Sequence, residues 1–142
     1  MTDVRVIRVA DAAEVHRGKD LFDAAPSDEA TLTFLTSSGH HLLFAYDRRG
    51  TPVGMVTGVE MTHPDKGTEM FLYELGVADS ARRSGVGTAL VRALAELARE
   101  RGCYGMWVLT DTDNEAALAT YRRGGAGEEA GSVTLFWDLS DG

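Results

Sequence analysis

Residues 74–90, ELGVADSARRSGVGTAL, combine one carboxylate, two adjacent arginines and two closely spaced glycines. Gly85 and Gly87 leave the backbone open where a helical pattern begins, so successive N–H groups can point outward at a ligand. The helix dipole favours negative charge at the same place. The segment is therefore predicted to bind an anion, most naturally a pyrophosphate. A glycine-containing turn with two solvated arginines is the alternative.

Glu74 lies inside MFLYELGV, a predicted strand that is apolar on both of its faces. Carboxylates are almost never buried without a partner or a purpose. Glu74 is therefore a candidate general base or amine-binding carboxylate, and a structural ion pair or an edge charge is the alternative. Gly76, in the same strand, marks a bulge or a close approach of another backbone segment.

Further polar residues lie around a short helical pattern at 114–123. Asn114 begins this pattern and is predicted to cap the helix. Tyr121 has the spacing of a core tyrosine whose hydroxyl finds a partner nearby. Asp111 and Asp113 follow the preceding strand pattern and could bind ammonium groups, although exposed aspartates are also common in solvated turns.

Apolar periodicity predicts the elements that position these residues. Strand patterns occur at 4–9, 41–47, 52–61, 69–77, 104–110 and 132–139. Helical patterns occur at 11–22, 28–35 and 114–123, and a long amphipathic helix begins after Gly85 and ends at Gly102. The available N-caps are Asp11 and either Ser27 or Asp28. One crossover through the long helix is predicted to join two parallel strands, and such crossovers are nearly always right-handed. The order predicts a single α/β domain over residues 1–142 with a mixed, mostly antiparallel sheet.

Composition limits the compartment and the partners. The 142 residues carry a formal net charge of -8, which argues against nucleic acid and permits cationic partners. The N-terminus is charged throughout, and no stretch is apolar and long enough to cross a bilayer, so a cytoplasmic protein without membrane contact is predicted. The single cysteine, Cys103, excludes an internal disulfide and a cysteine-rich metal site, and a buried, inert thiol is predicted.

Two motif blocks together resemble a known family. Arg82, Gly85 and Gly87, at the start of a helix after a strand ending in LGV, resemble the acetyl-CoA signature of the GNAT N-acetyltransferase superfamily. Downstream, NEAALATYRRGG at 114–125 is similar to that family's asparagine, helical tyrosine and following glycine. The acidic residue before LGV and the aspartate after the next strand most resemble the aminoglycoside 3-N-acetyltransferases. The implied GNAT fold has about six to seven strands flanked by about four helices.

The resemblance also implies an activity and its residues. Glu74 would be the general base that takes a proton from the acceptor amine, and Tyr121 the acid that protonates the departing thiolate. Glu74, Asp111 and Asp113 would bind a small cationic acceptor, such as an aminoglycoside or a polyamine. The implied acetyl-CoA site comprises Leu75, Gly76, Val77, Arg82, Arg83, Ser84, Gly85, Val86, Gly87, Thr88, Asn114 and Tyr121.

The implied mechanism is direct attack of a primary amine on the thioester in a ternary complex. In the family, a bulge near Gly76 splays its strand from the next, and the pantetheine arm of CoA lies in the gap. The family often dimerises, so a homodimer is an expected form. The alternatives are a peptide or protein N-acetyltransferase and a non-catalytic CoA-binding module. The presence of both Glu74 and Tyr121 favours catalysis, because a module that only binds CoA needs neither.

Overall fold

The computed structural model describes residues 3–140, and over these residues the chain forms five strands and four α-helices. In chain order they are β1 (Arg5–Arg8), α1 (Ala12–Arg17), α2 (Asp28–Thr36), β2 (His40–Tyr46), β3 (Pro52–His63), β4 (Gly67–Val77), α3 (Val86–Glu100), β5 (Met106–Trp107) and α4 (Glu115–Arg123). The strands pair in chain order, antiparallel from β1 to β4 and parallel between β4 and β5. This arrangement confirms the crossover through the long helix. Residues 1–2 and 141–142, which the predicted domain includes, lie outside the described residues.

The two short N-terminal helices begin at predicted caps. The side chain of Asp11 accepts a hydrogen bond from the backbone N–H of Glu14 at 2.9 Å, and that of Ser27 from Ala30 at 3.1 Å. The first helix is shorter than predicted, because α1 ends at Arg17 with Gly18 as its C-cap, and a 3-10 turn follows. Within residues 3–140, no helix combines the length and the apolar character needed to cross a membrane.

Helices cover both faces of the sheet. On one face, Val86, Leu90 and Leu94 of α3 are buried in the main core cluster. On the other face, Val15 of α1 packs with Phe44 and further side chains of β2 and β3, and partly buried side chains of α2 complete this second cluster. The mixed, mostly antiparallel sheet thus lies between α3 and the α1–α2 pair, as a strand apolar on both faces requires.

The predicted closing strand at 132–139 is wrong. Over the described residues this segment joins no strand, and its large apolar side chains are between 73% and 86% exposed. The strand predicted at 104–110 is also reduced, to the two residues of β5. A strand is stabilised by backbone pairing, and β5 offers too short an edge to hold another one. The described sheet therefore has five strands instead of the expected six to seven.

An ionic cluster anchors the carboxyl end of α3 to the sheet. Nε2 of His41 lies 2.6 Å from a carboxylate oxygen of Glu60, which also accepts a hydrogen bond from Arg101 at 2.8 Å. Burial lowers the pKa of His41 and outweighs the opposing hydrogen bond with Glu60. Burial tends to raise the pKa of Glu60, but the hydrogen bonds from His41 and Arg101 outweigh it and hold that pKa below its usual value. The end of α3 opposite its glycine-rich beginning is therefore fixed.

Candidate functional site

β4 carries one extra residue relative to β3, and this bulge decides where Glu74 points. Thr57 of β3 is opposite Glu74, whereas the next residue of β3, Gly58, is opposite Leu72, so Tyr73 has no partner in the register. Leu72 belongs to the core beneath α3. Since side chains alternate between faces, a regular strand would place Glu74 on that face too. The bulge turns Glu74 toward the α1–α2 face instead.

On the α1–α2 face, Glu74 lines a cavity of about 160 Å³, named the apolar cavity below. Its lining residues are Val15, Phe22, Ala24, Pro26, Ser27, Ala30, Thr31, Phe34, Leu42, Thr57 and Glu74. The hydroxyl of Thr57 donates to Oε1 of Glu74 at 3.3 Å. Glu74 is half-buried, because its carboxylate borders this opening and not the solid core that the sequence suggested. Within residues 3–140 it forms no ion pair with another side chain.

A larger opening, of about 1190 Å³, is named the long cleft. It is lined by Asp20–Asp23, Leu75–Asp79, Ala81–Arg83, Gly85–Thr88, Ala116, Ala117, Ala119, Thr120 and Arg123. Most of the residues predicted to bind acetyl-CoA are among them. Phe22 lines both openings, and the neighbouring residues Glu74 and Leu75 line one opening each. The apolar cavity and the long cleft therefore adjoin at β4.

The beginning of α3 supplies hydrogen-bond donors to the long cleft. Gly85 precedes the helix with φ +84°, Arg83 has φ +63°, and no side chain caps the helix. The first-turn N–H groups of a helix have no partner within it, so those from Val86 to Thr88 can bind a ligand. Oγ1 of Thr88 is buried and lacks a hydrogen-bond partner among the described residues. These groups, with the positive end of the helix dipole, are suited to bind an anion, and they are named the anion site below.

The two arginines of the motif are exposed at the rim of this anion site. Arg82 pairs with Asp79 at 3.1 Å, on a 3-10 turn between β4 and α3. Arg83 also lines the cleft. Exposed guanidinium groups attract phosphates at long range and can bind them in a bidentate manner.

Two glycines keep the cleft open beside β4. A Cβ atom on Gly76 would lie 2.7 Å from the carbonyl oxygen of Leu21, so this glycine marks a close backbone approach, while the bulge lies at Tyr73. A Cβ atom on Gly87 would lie 3.1 Å from Cγ2 of Thr120 on α4. The register of β5 with β4 stops at Phe71, so the described structure shows no strand on that side of 72–77. The family resemblance implies a gap between β4 and β5 at this place.

The remaining predicted residues lie on and around α4. Asn114 caps this helix, its side chain accepting from the N–H of Ala117 at 3.1 Å, as predicted. Tyr121 packs against the main core, and burial raises the pKa of its hydroxyl. Asp111 and Asp113 occupy an exposed turn outside the linings of the two described openings. Ser84 lies in the loop before α3, where its hydroxyl donates a hydrogen bond to the carbonyl oxygen of Ala81.

Sequence reasoning missed two residues that shape the junction of the openings. Thr57 is the single hydroxyl residue of the mainly apolar strand pattern at 52–61, and this contrast was the available signal. Phe22 follows the 3-10 turn after α1 and carries no local signal for its position between the openings. Both positions depend on how distant segments pack.

Residues 9–125 match the family described as the acetyltransferase (GNAT) family. The chain belongs to this family. The match includes the bulged strand, the anion site and α4, and it confirms the family resemblance of the two motif blocks. GNAT acetyltransferases use acetyl-CoA, which fits an anion site at the beginning of α3.

Individual relatives share the GNAT fold. An aminoglycoside acetyltransferase from an uncultured soil metagenomic sample superposes with a TM-score of 0.86 at 21% identity, covering 96% of this chain and 97% of that one. The aminoglycoside 6'-N-acetyltransferase of Acinetobacter baumannii has a TM-score of 0.77 at 18% identity, over 96% and 99%. The narrower resemblance to 3-N enzymes is not confirmed, because the structural neighbours are mostly of the 6' type.

Among curated proteins, N-acetyltransferase 8F1 of Rattus norvegicus is 27% identical over 116 residues, covering 80% of this chain and 52% of that protein. The chain spans about half or less of the length of the curated relatives it matches. The shared region contains the GNAT fold.

Proposed function

We propose that this chain is an acetyl-CoA-dependent N-acetyltransferase that moves acetyl to a primary amine by direct attack in a ternary complex. The observation that carries the proposal is the junction of the apolar cavity with the long cleft, where Glu74 lines the first and Leu75 the second. Two ligands held in the two openings would meet at β4, as a direct transfer requires. We also propose that residues 1–142 act as one domain.

The long cleft fits the acetyl donor. The N–H groups of residues 83–88 would bind the pyrophosphate, with Arg82 and Arg83 adding positive charge. The buried hydroxyl of Thr88 supports this assignment, because it has no hydrogen-bond partner among residues 3–140 and a phosphate oxygen would supply one. The unpaired edge of β4 after Phe71 offers backbone groups to an extended pantetheine arm, as in strand addition. Asn114 is proposed to contact this arm while it caps α4.

The chain's own residues would handle the protons. Acetyl-CoA supplies the thioester carbonyl that the amine attacks. Glu74, directly or through water, accepts one proton from the ammonium group, because only a neutral amine has a lone pair for the attack. As the C–N bond forms and the C–S bond breaks, Tyr121 is proposed to protonate the departing sulfur and to regain the amine's second proton. Its raised pKa keeps Tyr121 protonated at neutral pH.

The acceptor is proposed to be a small cationic amine. The fold neighbours that act on aminoglycosides and the net charge of -8 support an aminoglycoside- or polyamine-like molecule. In that case Asp111 and Asp113 are proposed to bind its outlying ammonium groups. A peptide or protein amine is the alternative acceptor, and a CoA-binding module without catalysis is the alternative function. We also propose that two copies of the protein assemble as a homodimer.

Thiol release from acetyl-CoA, measured with a panel of aminoglycosides, polyamines, simple amines and short peptides, tests the function. We expect release that depends on the amine and yields the N-acetyl product by mass spectrometry. Binding of CoA without release for any amine would favour the non-catalytic module. Release only with peptides would favour the alternative acceptor.

The hydroxyl of Thr88 provides a test of the donor site that is independent of activity. We expect CoA to raise the free energy of unfolding by about 2.7 kcal/mol at one hundred times its Kd. In Thr88→Val, stability without CoA should be equal or higher, because a buried hydroxyl without a partner costs about 1–3 kcal/mol. The CoA affinity should nevertheless fall about tenfold, since one hydrogen bond to a charged phosphate is lost. Chemical denaturation with and without CoA measures both.

The control is Thr33→Val on the exposed face of α2, where neither quantity should change. If Thr88→Val binds CoA with unchanged affinity, the hydroxyl takes no part in the anion site.

A further inference from the structure

The apolar cavity presents a single charged group. Around Glu74 its walls are formed mainly by hydrocarbon, from Val15, Phe22, Phe34 and Leu42 among others. Two of its hydroxyl groups already have partners, because Thr57 donates to Glu74 and Ser27 caps α2. A ligand with several hydroxyl or ammonium groups would leave most of them unpaired in this cavity, at a cost for each one.

The size of the cavity limits what can lie beside the reacting amine. Its volume of about 160 Å³ is close to that of an engineered cavity of about 150 Å³, lined by Leu, Ile and Phe, that binds benzene. One aromatic ring or one branched alkyl group therefore fills the space. The ring system of an aminoglycoside would have to lie mostly outside it.

The half-buried carboxylate specifies the polar end of the ligand. Glu74 has one hydrogen bond, from Thr57, and no ion pair within residues 3–140. A carboxylate in such a setting is stabilised by one cation at short distance. The acidic residues Asp111 and Asp113 lie in an exposed turn away from the cavity lining, so a second ammonium group finds no carboxylate inside.

We infer that the acceptor is a primary monoamine whose amine carries one compact apolar group, such as an arylalkylamine or a branched alkylamine. This inference rests on the proposed acetyl transfer and keeps a small cationic amine as the acceptor, but it replaces the polycations that the fold neighbours suggest with a monoamine. The apolar group fills the cavity between α2 and β2, and the ammonium group pairs with Glu74. The ammonium group then loses one proton to Glu74. As the amide bond forms and the C–S bond breaks, the amine's second proton reaches the departing sulfur through Tyr121, and CoA leaves as the thiol.

A matched set of amines tests the inference. We expect kcat/KM for 2-phenylethylamine and 3-methylbutylamine to exceed that for ethylamine by about 10- to 100-fold, the gain from burying one apolar group of this size. Glucosamine, neamine and spermidine should fall below both apolar amines. Higher kcat/KM for neamine or spermidine than for the apolar amines would overturn the inference and leave acetyl transfer intact.

A cavity-filling variant links the preference to this cavity. Ala30 lines the cavity from an exposed position of α2, so Ala30→Leu should fold and occupy part of the space. We expect kcat/KM for 2-phenylethylamine to fall about tenfold, from the loss of buried contact, while ethylamine turnover and CoA affinity stay unchanged. Thr33→Leu, on the same helix but outside the lining, is the control and should change nothing.

Direct binding separates this inference from the proposed reaction. Ligand-detected NMR with CoA present should show 2-phenylethylamine bound to the wild type and weakened by Ala30→Leu. Such binding without thiol release for any amine would support the apolar amine site and overturn the proposed reaction. Absence of 2-phenylethylamine binding, or binding that Ala30→Leu leaves unchanged, would overturn the inference.

Discussion

Replacing Glu74 by Gln should lower turnover at neutral pH by about 10²- to 10⁴-fold, the range typical of a lost general base. The affinity for CoA should hardly change, because Glu74 lines the apolar cavity and the phosphates are assigned to the beginning of α3. Gln retains the volume and an oxygen that can accept from Thr57, so the local geometry is preserved. The deficit should shrink as pH rises, because more of the amine then arrives already deprotonated. Steady-state kinetics from about pH 6 to about pH 10, a range that approaches the pKa of about 10.4 typical of a primary alkylamine, provide the measurement.

Glu100→Gln is the matched control, since it makes the same chemical change at the exposed end of α3. It should leave turnover and its pH dependence as in the wild type. Unchanged turnover with an unchanged pH profile in Glu74→Gln would show that water takes the proton, and Glu74 would then only position the amine.

Replacing Gly87 by Glu should weaken CoA binding by about 10²-fold or more, which corresponds to roughly 2.7 kcal/mol. The added carboxylate would compete with the phosphates for the N–H groups at the beginning of α3. The fold should persist, because the tightest contact of the new Cβ atom would be the side-chain methyl of Thr120 at 3.1 Å, and those with Val77 and Leu75 are ordinary van der Waals contacts. Isothermal titration with CoA measures the affinity, and circular dichroism checks the fold.

Gly87→Gln separates charge from bulk in this experiment, and Gly87→Ala reports the effect of the Cβ atom alone. The difference in affinity between the Glu and Gln variants should shrink as salt rises, because it is electrostatic. A folded Gly87→Glu protein with native CoA affinity would place the anion site elsewhere.

The structural features assigned to the donor site were predictable because their signals are local. The arginine and glycine spacing, a helix start without a side-chain cap and the N-cap at Asn114 all lie within short stretches of sequence, and the structure contains each of them. The main helix was equally clear, since its apolar stripe repeats at helical spacing over several turns. Its end at Gly102 lies close to the observed end of α3 at Glu100.

The acceptor side was less predictable because it depends on distant contacts. The face on which Glu74 lies is set by the register of β4 against β3, and alternation alone cannot locate a bulge. The apolar cavity arises where α1 and α2 pack over β2, and short helical patterns do not say what they face. The segment 132–139 has a strand-like composition, but strand formation also needs a partner edge that the sequence pattern does not reveal.

The extra residue at Tyr73 divides inherited changes in β3 and β4 into two classes. The side chain of Tyr73 is mostly exposed, so single-nucleotide changes that replace it are expected to be neutral for the site. A codon gained in β3 between Thr57 and Gly58 is different, because Tyr73 would then have a partner, β4 would regain regular alternation, and Glu74 would share the core face of Leu72. The residue type at position 73 can therefore vary among descendants of this sequence, whereas the relative lengths of β3 and β4 around it are expected to be conserved.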